Sequence, residues 1–399
     1  MNLGTMGRGS MVAGVLAGAG VLLALPGAAA RATGIEATIS PPLLDRWMYP
    51  FNEFTPRGAR PTMPTFWTVR DPRFDDRDAQ VLVVFDTTGA VPAGFRPGAY
   101  RVEEATLRMM VQVDSPGEAF TYDPTPDPVA SYLDPAAVLF APDPDPGRPV
   151  ELFAVGFRGT NPQGATWSAA TYGENSPFAG AAPPDPSAPW RSTRAAYPVA
   201  FDGAGQPADA SNNVTRPASQ GGPFQPAALA AAVEDGGTLA PGDPVPDRTV
   251  FRFAIDPAAP GVQAYLAQGL AQGRLALAAS SLHDSIEFGG GPPIYPRWMS
   301  KENTLPGAQG PRLTLRVRLC AADTATSGSA DPQAGPDGFL TGEDFDVFII
   351  AFFAELVDAQ TGRKIADIAA AGTGELGPDG FLTGEDFDRF IIEFFSGCP

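Results

Sequence analysis

The sequence predicts a mainly β protein, in which a jelly-roll-like β-sandwich precedes a small all-α module. Three observations support this fold class. From about residue 34 to 319 the chain consists of short apolar or alternating segments separated by turn residues, and long helical patterns are scarce. The stretch GPDGFLTGEDFD then occurs twice, at Gly335–Asp346 and Gly377–Asp388, each time before an apolar segment with helical spacing. Many strands without alternating helices are typical of two packed antiparallel sheets.

Residues 1–30 are predicted to be a secretory signal. Arg8 precedes an apolar run, Met11–Leu25, that ends in Pro26 and small residues. This order is typical of export signals, and the run is shorter than the roughly 20 residues that span a bilayer as a helix. We therefore expect a signal at 1–30, the β-sandwich at 31–319 and the repeat-containing module at 320–399. The protein is then secreted, and is either extracellular or attached to the cell surface.

The charge of the chain restricts its partners. The formal net charge is −18, and Lys301 and Lys364 are the only lysines. Nucleic-acid binders need clustered basic residues that displace counterions from phosphates, so no nucleic-acid partner is expected. No later segment of the sequence is long and apolar enough to span a membrane. An acidic surface favours cations, and calcium is the natural candidate outside the cell.

Six segments of the predicted sandwich carry the strand pattern. They are Val81–Phe85, Val102–Val113, Val150–Phe157, Val250–Ile255, Arg274–Ser281 and Leu313–Leu319. The last segment alternates apolar and polar residues, which indicates a strand buried on one face, as in antiparallel sheets. One helix is predicted among the strands, at Gly261–Gly273, because this segment follows Pro260 and ends at a glycine.

The acidic loops of the sandwich allow two interpretations. Carboxylates are concentrated in the Asp-Pro runs Asp123–Pro128 and Ala141–Pro149, and again just before the strand Val81–Phe85. Either region could hold a cation, but solvated surface loops are the simpler interpretation and the one we favour. The acidic group before the strand consists of Asp71, Asp75, Asp76 and Asp78.

Catalysis is not expected from the sequence. His283 is the only histidine, and no Gly-x-Ser-x-Gly motif accompanies it, so a Ser-His-Asp mechanism lacks its usual context. Two carboxylates suffice for glycoside hydrolysis, but no pair stands out among 45 acidic residues. Tryptophans can bind sugar rings through their flat apolar faces, and we expect at most one or two of the five to do so. They are Trp47, Trp67, Trp167, Trp190 and Trp298.

Three places in the sandwich carry a family pattern. Ala79–Pro92 and Tyr100–Met110 form a strand ending in Phe-Asp and a second strand with Ala-Thr-Leu, Asn213–Thr215 reads Asn-Val-Thr, and Ser300–Glu302 precedes the closing strand. These segments resemble the DNRLRE-type, disaggregatase-related carbohydrate-binding modules. The resemblance implies a β-sandwich that binds polysaccharide or a surface glycan. Asn213–Thr215 is also an N-glycosylation sequence, but the resemblance favours a structural role.

Each copy of the repeated stretch leads into a predicted helix with one apolar face. In the two copies the apolar residues fall at i, i+3, i+4, i+7 and i+8. They are Phe345, Phe348, Ile349, Phe352 and Phe353 in one helix, and Phe387, Phe390, Ile391, Phe394 and Phe395 in the other. Neither helix can bury this face alone, so we expect the two to pack as a pseudo-twofold pair.

The loop before each helix matches the second half of an EF-hand calcium loop, at positions 5, 6, 7, 9 and 12. The ligands would be Asp337, Phe339, Thr341 and Asp344 in one repeat and Asp379, Phe381, Thr383 and Asp386 in the other. The first half is poor, so further ligands are expected from Asp323 or Asp331 and from Asp367 or Glu375 in expanded loops. Alternatively, the threonines cap the helices and the acidic residues complement their dipoles, which needs no metal.

Residues 322–354 and 366–398 share an Ala-Asp start, Pro-Asp-Gly, Leu-Thr before an aspartate, and two phenylalanines near the helix end, and the second repeat ends in Gly397-Cys398. They resemble the two repeats of GC-type dockerin-like domains of exported bacterial proteins. The resemblance implies attachment to a cohesin-like partner or to the cell surface. We expect a disulfide between Cys320 and Cys398, the only cysteines. The alternative is that Cys398 stays free as a point of covalent attachment.

Three functions are compatible with the sequence. The first is a non-catalytic exported protein, with a glycan-binding sandwich and an anchoring module. The second is a polysaccharide-active hydrolase or lyase on the same anchor, and the third is a structural protein of a surface layer. The lack of a recognisable catalytic group favours the first and the third.

Overall fold

The computed structural model describes residues 34–52, 60–158, 172–179, 186–285, 294–329, 331–359 and 361–397. The predicted signal at 1–30, Trp167 and Cys398 lie outside these ranges. The strands are β1 (Ile35–Ile39), β2 (Leu44–Met48), β3 (Thr62–Pro64), β4 (Gln80–Asp86), β5 (Tyr100–Met110), β6 (Val150–Phe157), β7 (Ala196–Phe201), β8 (Pro207–Asp209), β9 (Ala230–Ala231), β10 (Val233–Glu234), β11 (Val250–Ile255), β12 (Arg274–Ser281), β13 (Arg297–Met299) and β14 (Arg312–Leu319). The helices are α1 (Val262–Ala271), α2 (Gly342–Ala354) and α3 (Gly384–Ser396).

The strands form two main antiparallel sheets. The first has the order β1-β14-β5-β11-β10, and the second has the order β2-β4-β12-β6-β7-β8, with β9 paired to β6. β3 and β13 form a short third sheet. The six predicted strands and the helix between them are present near their predicted bounds. The expectation of a mainly β, sandwich-like protein with antiparallel sheets is therefore confirmed.

The core lies between the two main sheets. Val83 and Phe85 of β4 belong to the same buried cluster as Leu107 of β5 and Leu315 of β14. In β14 the apolar positions are buried and the alternate positions are more exposed, as the sequence predicts. Both faces of β4 are buried, because Leu82 packs into a second cluster on the opposite face of the sheet. This explains why β4 is continuously apolar while β14 alternates.

Ion pairs lie on the face of the second sheet that points away from the core. Arg77 pairs with Glu151 of β6 at 2.5 Å, and its guanidinium lies 4.7 Å from the ring centre of Phe153 on the same strand. Arg194 Nε donates to Asp75 Oδ2 at 2.7 Å, and both side chains are fully buried. Loops therefore cover this face through paired charges as well as apolar contacts.

The prediction of a solvated acidic group before β4 is wrong for three of its members, because they are buried. Besides the bond from Arg194, Asp75 accepts one from the Ser192 backbone N–H at 2.8 Å. Asp76 accepts bonds from the backbone N–H of Thr215 at 2.8 Å and from its hydroxyl at 2.5 Å. These donors compensate the buried charge and tie three loops together. The buried members are Asp75, Asp76 and Asp78.

Helices α2 and α3 pack against each other through phenylalanines, as the repeat predicts. The ring pairs are Phe348–Phe390 at 3.9 Å, Phe345–Phe394 at 5.9 Å and Phe352–Phe387 at 6.2 Å between centroids. Phe345 is equivalent to Phe387 and Phe352 to Phe394, so a twofold rotation converts each of the last two pairs into the other. The stacked first pair therefore lies on the pseudo-twofold axis of the module.

Two of the residues predicted on this face are not in it. Phe353 is 79% exposed and Phe395 is 76% exposed. Each stands eight residues after the first phenylalanine of its helix, and at 3.6 residues per turn this position is rotated by about 80° from it. The face that packs is consequently narrower than the sequence pattern.

The C-terminal helices are held against the sandwich by the loop before β5. Arg96 Nε donates to Asp358 Oδ2 at 2.7 Å, and its other nitrogens donate to the carbonyl oxygens of Thr324 at 3.0 Å and Pro332 at 2.5 Å. Gly98 allows this approach, since a Cβ there would lie 2.7 Å from Pro336. Buried apolar residues of the sandwich and of the two helices belong to one continuous cluster. The predicted boundary at 319/320 is thus bridged by apolar and charged contacts.

Replacing Arg96 by alanine is expected to weaken this attachment. The change leaves the buried Asp358 carboxylate without its guanidinium, and breaking a buried ion pair costs about 3 kcal/mol. We expect the C-terminal module to unfold at a lower temperature than the sandwich in calorimetry of the variant. Arg101→Ala, at an exposed position of β5, is the matched control. A single transition at the wild-type temperature for Arg96→Ala would contradict the proposed coupling.

Candidate functional site

The two repeat loops have the same internal hydrogen bonds. Asp323 Oδ1 accepts the backbone N–H of Asp337 at 3.2 Å, and its Oδ2 accepts that of Gly338 at 2.5 Å. Asp367 makes the equivalent bonds in the second loop, at 2.9 and 2.6 Å. Of the ligands considered for the first half of each loop, Asp323 and Asp367 are therefore the ones that close the loop.

The last carboxylate of each loop caps its helix. Asp344 accepts bonds from the backbone N–H groups of Thr324 at 2.7 Å and Ala325 at 2.8 Å on one oxygen. Its other oxygen accepts the N–H and the hydroxyl of Thr341, at 2.7 and 3.1 Å. A carboxylate has about four acceptor sites, and all four are used. Asp386 makes the same four bonds in the second repeat.

These contacts suit the capping interpretation of the loops. Within the described ranges, the carboxylates of Asp323, Asp337 and Asp344 do not lie within 4.8 Å of one another as a metal-binding group, and neither do their counterparts in the second repeat. Burial, with the nearby Asp344 and Asp337 carboxylates, raises the pKa of Asp323 to about 7. The side chains of Phe339 and Phe381, whose carbonyl oxygens were expected as ligands, are exposed. Calcium binding by these loops stays a prediction.

A different group of carboxylates comes together in the sandwich. Asp123 and Asp127, from the first Asp-Pro run, are buried, and each offers an oxygen within 4.8 Å of the other and of Asp145 from the second run. Gly147 has φ +110°, and a Cβ there would lie 2.9 Å from the Asp123 Cβ. This glycine lets the second run lie against the first. We call the three residues Asp123, Asp127 and Asp145 the Asp-Pro cluster.

Only part of the Asp-Pro cluster is hydrogen-bonded. Asp123 Oδ1 accepts the backbone N–H of Thr125 at 2.8 Å. Asp127 Oδ2 accepts the Tyr132 hydroxyl and the Arg148 guanidinium, both at 2.7 Å. Asp123 Oδ2 and Asp127 Oδ1 are buried and have no hydrogen-bond partner in the described part of the chain. Burial, with the neighbouring carboxylates Asp127 and Asp145, raises the pKa of Asp123 to about 7.

A second acidic group contains its own cation. Asp45, Glu174 and Glu302 also bring carboxylate oxygens within 4.8 Å of one another. The Lys301 ammonium bonds to Glu174 and lies 3.7 Å from oxygens of both Asp45 and Glu302. The Lys301 backbone N–H also donates to Asp45 at 2.7 Å. This lysine belongs to the segment Ser300–Glu302, which therefore has a structural role.

His283 is buried beside the aromatic ring of Phe120, with ring centroids 5.3 Å apart. Neither ring nitrogen has a hydrogen-bond partner among the residues described. Burial, with the positive charge of Arg148, lowers the pKa of His283 to about 3. The imidazole is thus neutral across the physiological range of pH.

The tryptophans divide into buried and accessible ones. Trp67 and Trp298 are buried in the core, whereas Trp47 and Trp190 are partly exposed. Trp190 lies 5.7 Å from Phe51 between ring centroids, at an interplanar angle of 68°, and Phe74 lies 6.0 Å from Phe51. Phe51 is 53% exposed. We call Phe51, Phe74 and Trp190 the aromatic notch.

Three equivalent pairs of apolar residues are exposed on the C-terminal module. Single exposed apolar residues are common on protein surfaces, and exposure becomes informative when it follows a pattern or forms a patch. Here the same positions of the two repeats are exposed, so one apolar pattern is displayed twice about the pseudo-twofold axis. The pairs are Phe339 and Phe381, Ile350 and Ile392, and Phe353 and Phe395.

The Asn213–Thr215 segment is structural. Asn213 is buried and accepts a bond from Arg77 Nε at 3.1 Å, while Thr215 binds Asp76. Cys320 follows β14, and its backbone N–H donates to Ala99 at 2.9 Å. Because Cys398 lies outside the described residues, its pairing with Cys320 stays a prediction.

Comparison with family models and with curated proteins does not identify this chain. No family model matches this chain, and no curated protein matches it. Over the residues that the structure describes, no helix is both long and apolar enough to cross a membrane. Function is therefore inferred from the surfaces of the molecule.

Replacing Asp344 by alanine is expected to destabilise the module with or without calcium. The change leaves the buried N–H groups of Thr324 and Ala325 without an acceptor, and each such group costs about 1–3 kcal/mol. We expect a loss of about 3 kcal/mol in the free energy of unfolding, measured by denaturant titration in a chelating buffer. Asp386→Ala should cause a similar loss in the free energy of unfolding.

Asp346→Ala is the control, because Asp346 is exposed on the same helix. The capping account is wrong if, in chelator, Asp344→Ala has the same free energy of unfolding as Asp346→Ala, and if it is less stable than wild type only in calcium. Asp344 would then be a metal ligand.

Proposed function

We propose that this is an exported, non-catalytic protein that binds a polysaccharide or surface glycan through its sandwich and is attached through its C-terminal module. The observation that carries the proposal is the aromatic notch. Phe51 and Trp190 are partly accessible and pack edge to face at 5.7 Å between centroids, while Phe74 is buried beneath Phe51, so the two accessible rings offer apolar surface to a sugar ring. Aromatic faces bind the apolar faces of pyranoses, and buried aromatics at recognition sites carry much of the binding energy.

Polar groups beside the notch suit a hydroxyl-rich ligand. Arg73 and Asp71 form an ion pair at 2.5 Å, and the Arg73 side chain is 58% exposed. The Arg73 guanidinium lies 5.8 Å from the ring centre of Phe74, and the Arg73 backbone carbonyl accepts the Trp190 backbone N–H at 3.1 Å. Carbohydrate recognition combines apolar contact with a few placed hydrogen-bonding groups. Both elements are found here within one loop pair.

The attachment part of the proposal is supported by the paired apolar residues of α2 and α3. Exposed apolar patches mark protein-binding surfaces, and Phe353 and Phe395, near the C-terminal ends of α2 and α3, are the most exposed of these phenylalanines. Together with the resemblance to dockerin-like repeats, this surface favours a cohesin-like or cell-surface partner.

Alanine at Phe51 or Trp190 is expected to weaken glycan binding about tenfold or more, since truncation of aromatic anchors commonly costs over 1 kcal/mol. The full exported protein would be applied to a glycan array, and affinity for the best ligand measured by calorimetry. Leu139→Ala is the control, because Leu139 is a large apolar residue that is also exposed but lies outside the aromatic notch. Absence of binding to any glycan would favour the surface-layer role, and release of reducing sugar would establish an enzyme.

Serine at both Phe353 and Phe395 is expected to release the protein from its attachment site without affecting the fold, because both side chains are exposed. The fraction retained on cells or on a cohesin-like partner would be measured by fractionation. A paired control, Asp346→Ala with Asp388→Ala, changes exposed positions on the same helices. Retention equal to that of the control would place the attachment surface elsewhere.

A further inference from the structure

We infer that the Asp-Pro cluster is a calcium site within the sandwich, separate from the repeat loops and from the glycan-binding surface. The three carboxylates come from two proline-rich runs that cross at Gly147. Calcium is bound by oxygens at 2.3–2.6 Å, so two ligands of one ion lie up to about 5 Å apart. A spacing of 4.8 Å or less among the three oxygens fits a single ion.

The independent sign of a ligand is the pair of unpartnered oxygens. Asp123 is 3% exposed and Asp127 is 4% exposed, yet Asp123 Oδ2 and Asp127 Oδ1 lack a donor in the described ranges. At Asp75 and Asp76, by contrast, both oxygens accept hydrogen bonds. A buried carboxylate oxygen without a donor is costly. A cation that binds these two oxygens removes that cost.

Arg148 does not replace such a cation. Its guanidinium pairs with Asp127 and Asp143, and no ion pair joins Asp123 or Asp145 to a basic side chain in the described part of the chain. The Asp45, Glu174 and Glu302 group differs on this point, because the Lys301 ammonium sits among its carboxylates. In the described ranges, the Asp-Pro cluster is therefore the group in which two carboxylates, Asp123 and Asp145, have no basic side chain as an ion-pair partner.

The chemistry of the cluster selects calcium. The donor atoms are carboxylate oxygens, which suit hard divalent cations. Magnesium demands near-ideal octahedral geometry and retains several waters, whereas calcium accepts irregular sets of protein oxygens. Prolines 124, 126, 128, 144 and 146 flank the three aspartates in sequence. They limit the conformations of the free loops, so less ordering is needed when the ion binds.

The test compares thermal unfolding of the full exported protein in chelator and in calcium. Asp123→Asn removes one of three crowded negative charges, so it should melt at or above the wild-type temperature in chelator. In millimolar calcium it should melt below wild type, because a ligand that binds only the folded state no longer stabilises it. Asp145→Asn, at a half-buried position, should show the same reversal. If the variants melt below wild type by the same amount in chelator and in calcium, the Asp-Pro cluster is not a calcium site.

Terbium in place of calcium locates the ion. The Tyr132 hydroxyl lies 2.7 Å from Asp127, so tyrosine-sensitised terbium emission should report occupancy of this site. We expect Asp123→Asn and Asp145→Asn to bind terbium at least about tenfold more weakly, because the affinity of such a site for a cation depends on the number of charged ligands. The double variant Asp337→Asn with Asp379→Asn, in the repeat loops, should retain the signal. Loss of the signal in that double variant, with retention in the other two, would assign the ion to the repeats and refute the inference.

Discussion

The compensation of buried carboxylates is the constraint on which the loop structure of this protein depends. A carboxylate removed from water costs several kcal/mol unless donors or a cation replace its hydration. The chain carries a formal net charge of −18 and buries many aspartates. Arg194 compensates Asp75, and backbone N–H groups compensate Asp344 and Asp386. Each of these ion pairs and hydrogen bonds also joins two loops that are distant in the sequence.

The aromatic notch depends on this network for its position. Asp75 accepts hydrogen bonds from the Ser192 backbone N–H and from Arg194, two and four residues after Trp190. The Trp190 backbone N–H donates to the backbone carbonyl of Arg73, two residues before Asp75. The ring of Trp190 is thus placed by a buried ion pair rather than by a strand. Buried carboxylates have a similar role in the C-terminal module, where Asp344 and Asp386 cap the two helices and the stacked phenylalanines pack the helices together. The two surfaces proposed for recognition and attachment are therefore both positioned by buried polar contacts.

Local periodicity allowed much of the fold to be predicted. The strands β4, β5, β6, β11, β12 and β14 carry period-two or continuous apolar patterns, and the identical repeats predicted a helix pair. Contacts between distant segments could not be predicted in this way. Asp75 contacts Arg194, which lies 119 residues further along the chain. Asp123 lies close to Asp145 across a proline-rich loop whose composition suggested a solvated surface. Proline spacing around the aspartates, together with Gly147, was the available signal for the Asp-Pro cluster.

Anomalous diffraction from crystals grown with calcium tests the central claim most directly. If uncompensated carboxylates indicate a missing cation, an anomalous peak should lie about 2.3–2.6 Å from oxygens of Asp123, Asp127 and Asp145. No such peak is expected between Asp45 and Glu302, where Lys301 supplies the charge. The absence of a peak at the Asp-Pro cluster in saturating calcium, with Asp123 bonded to Asp127 through a shared proton instead, would contradict the account.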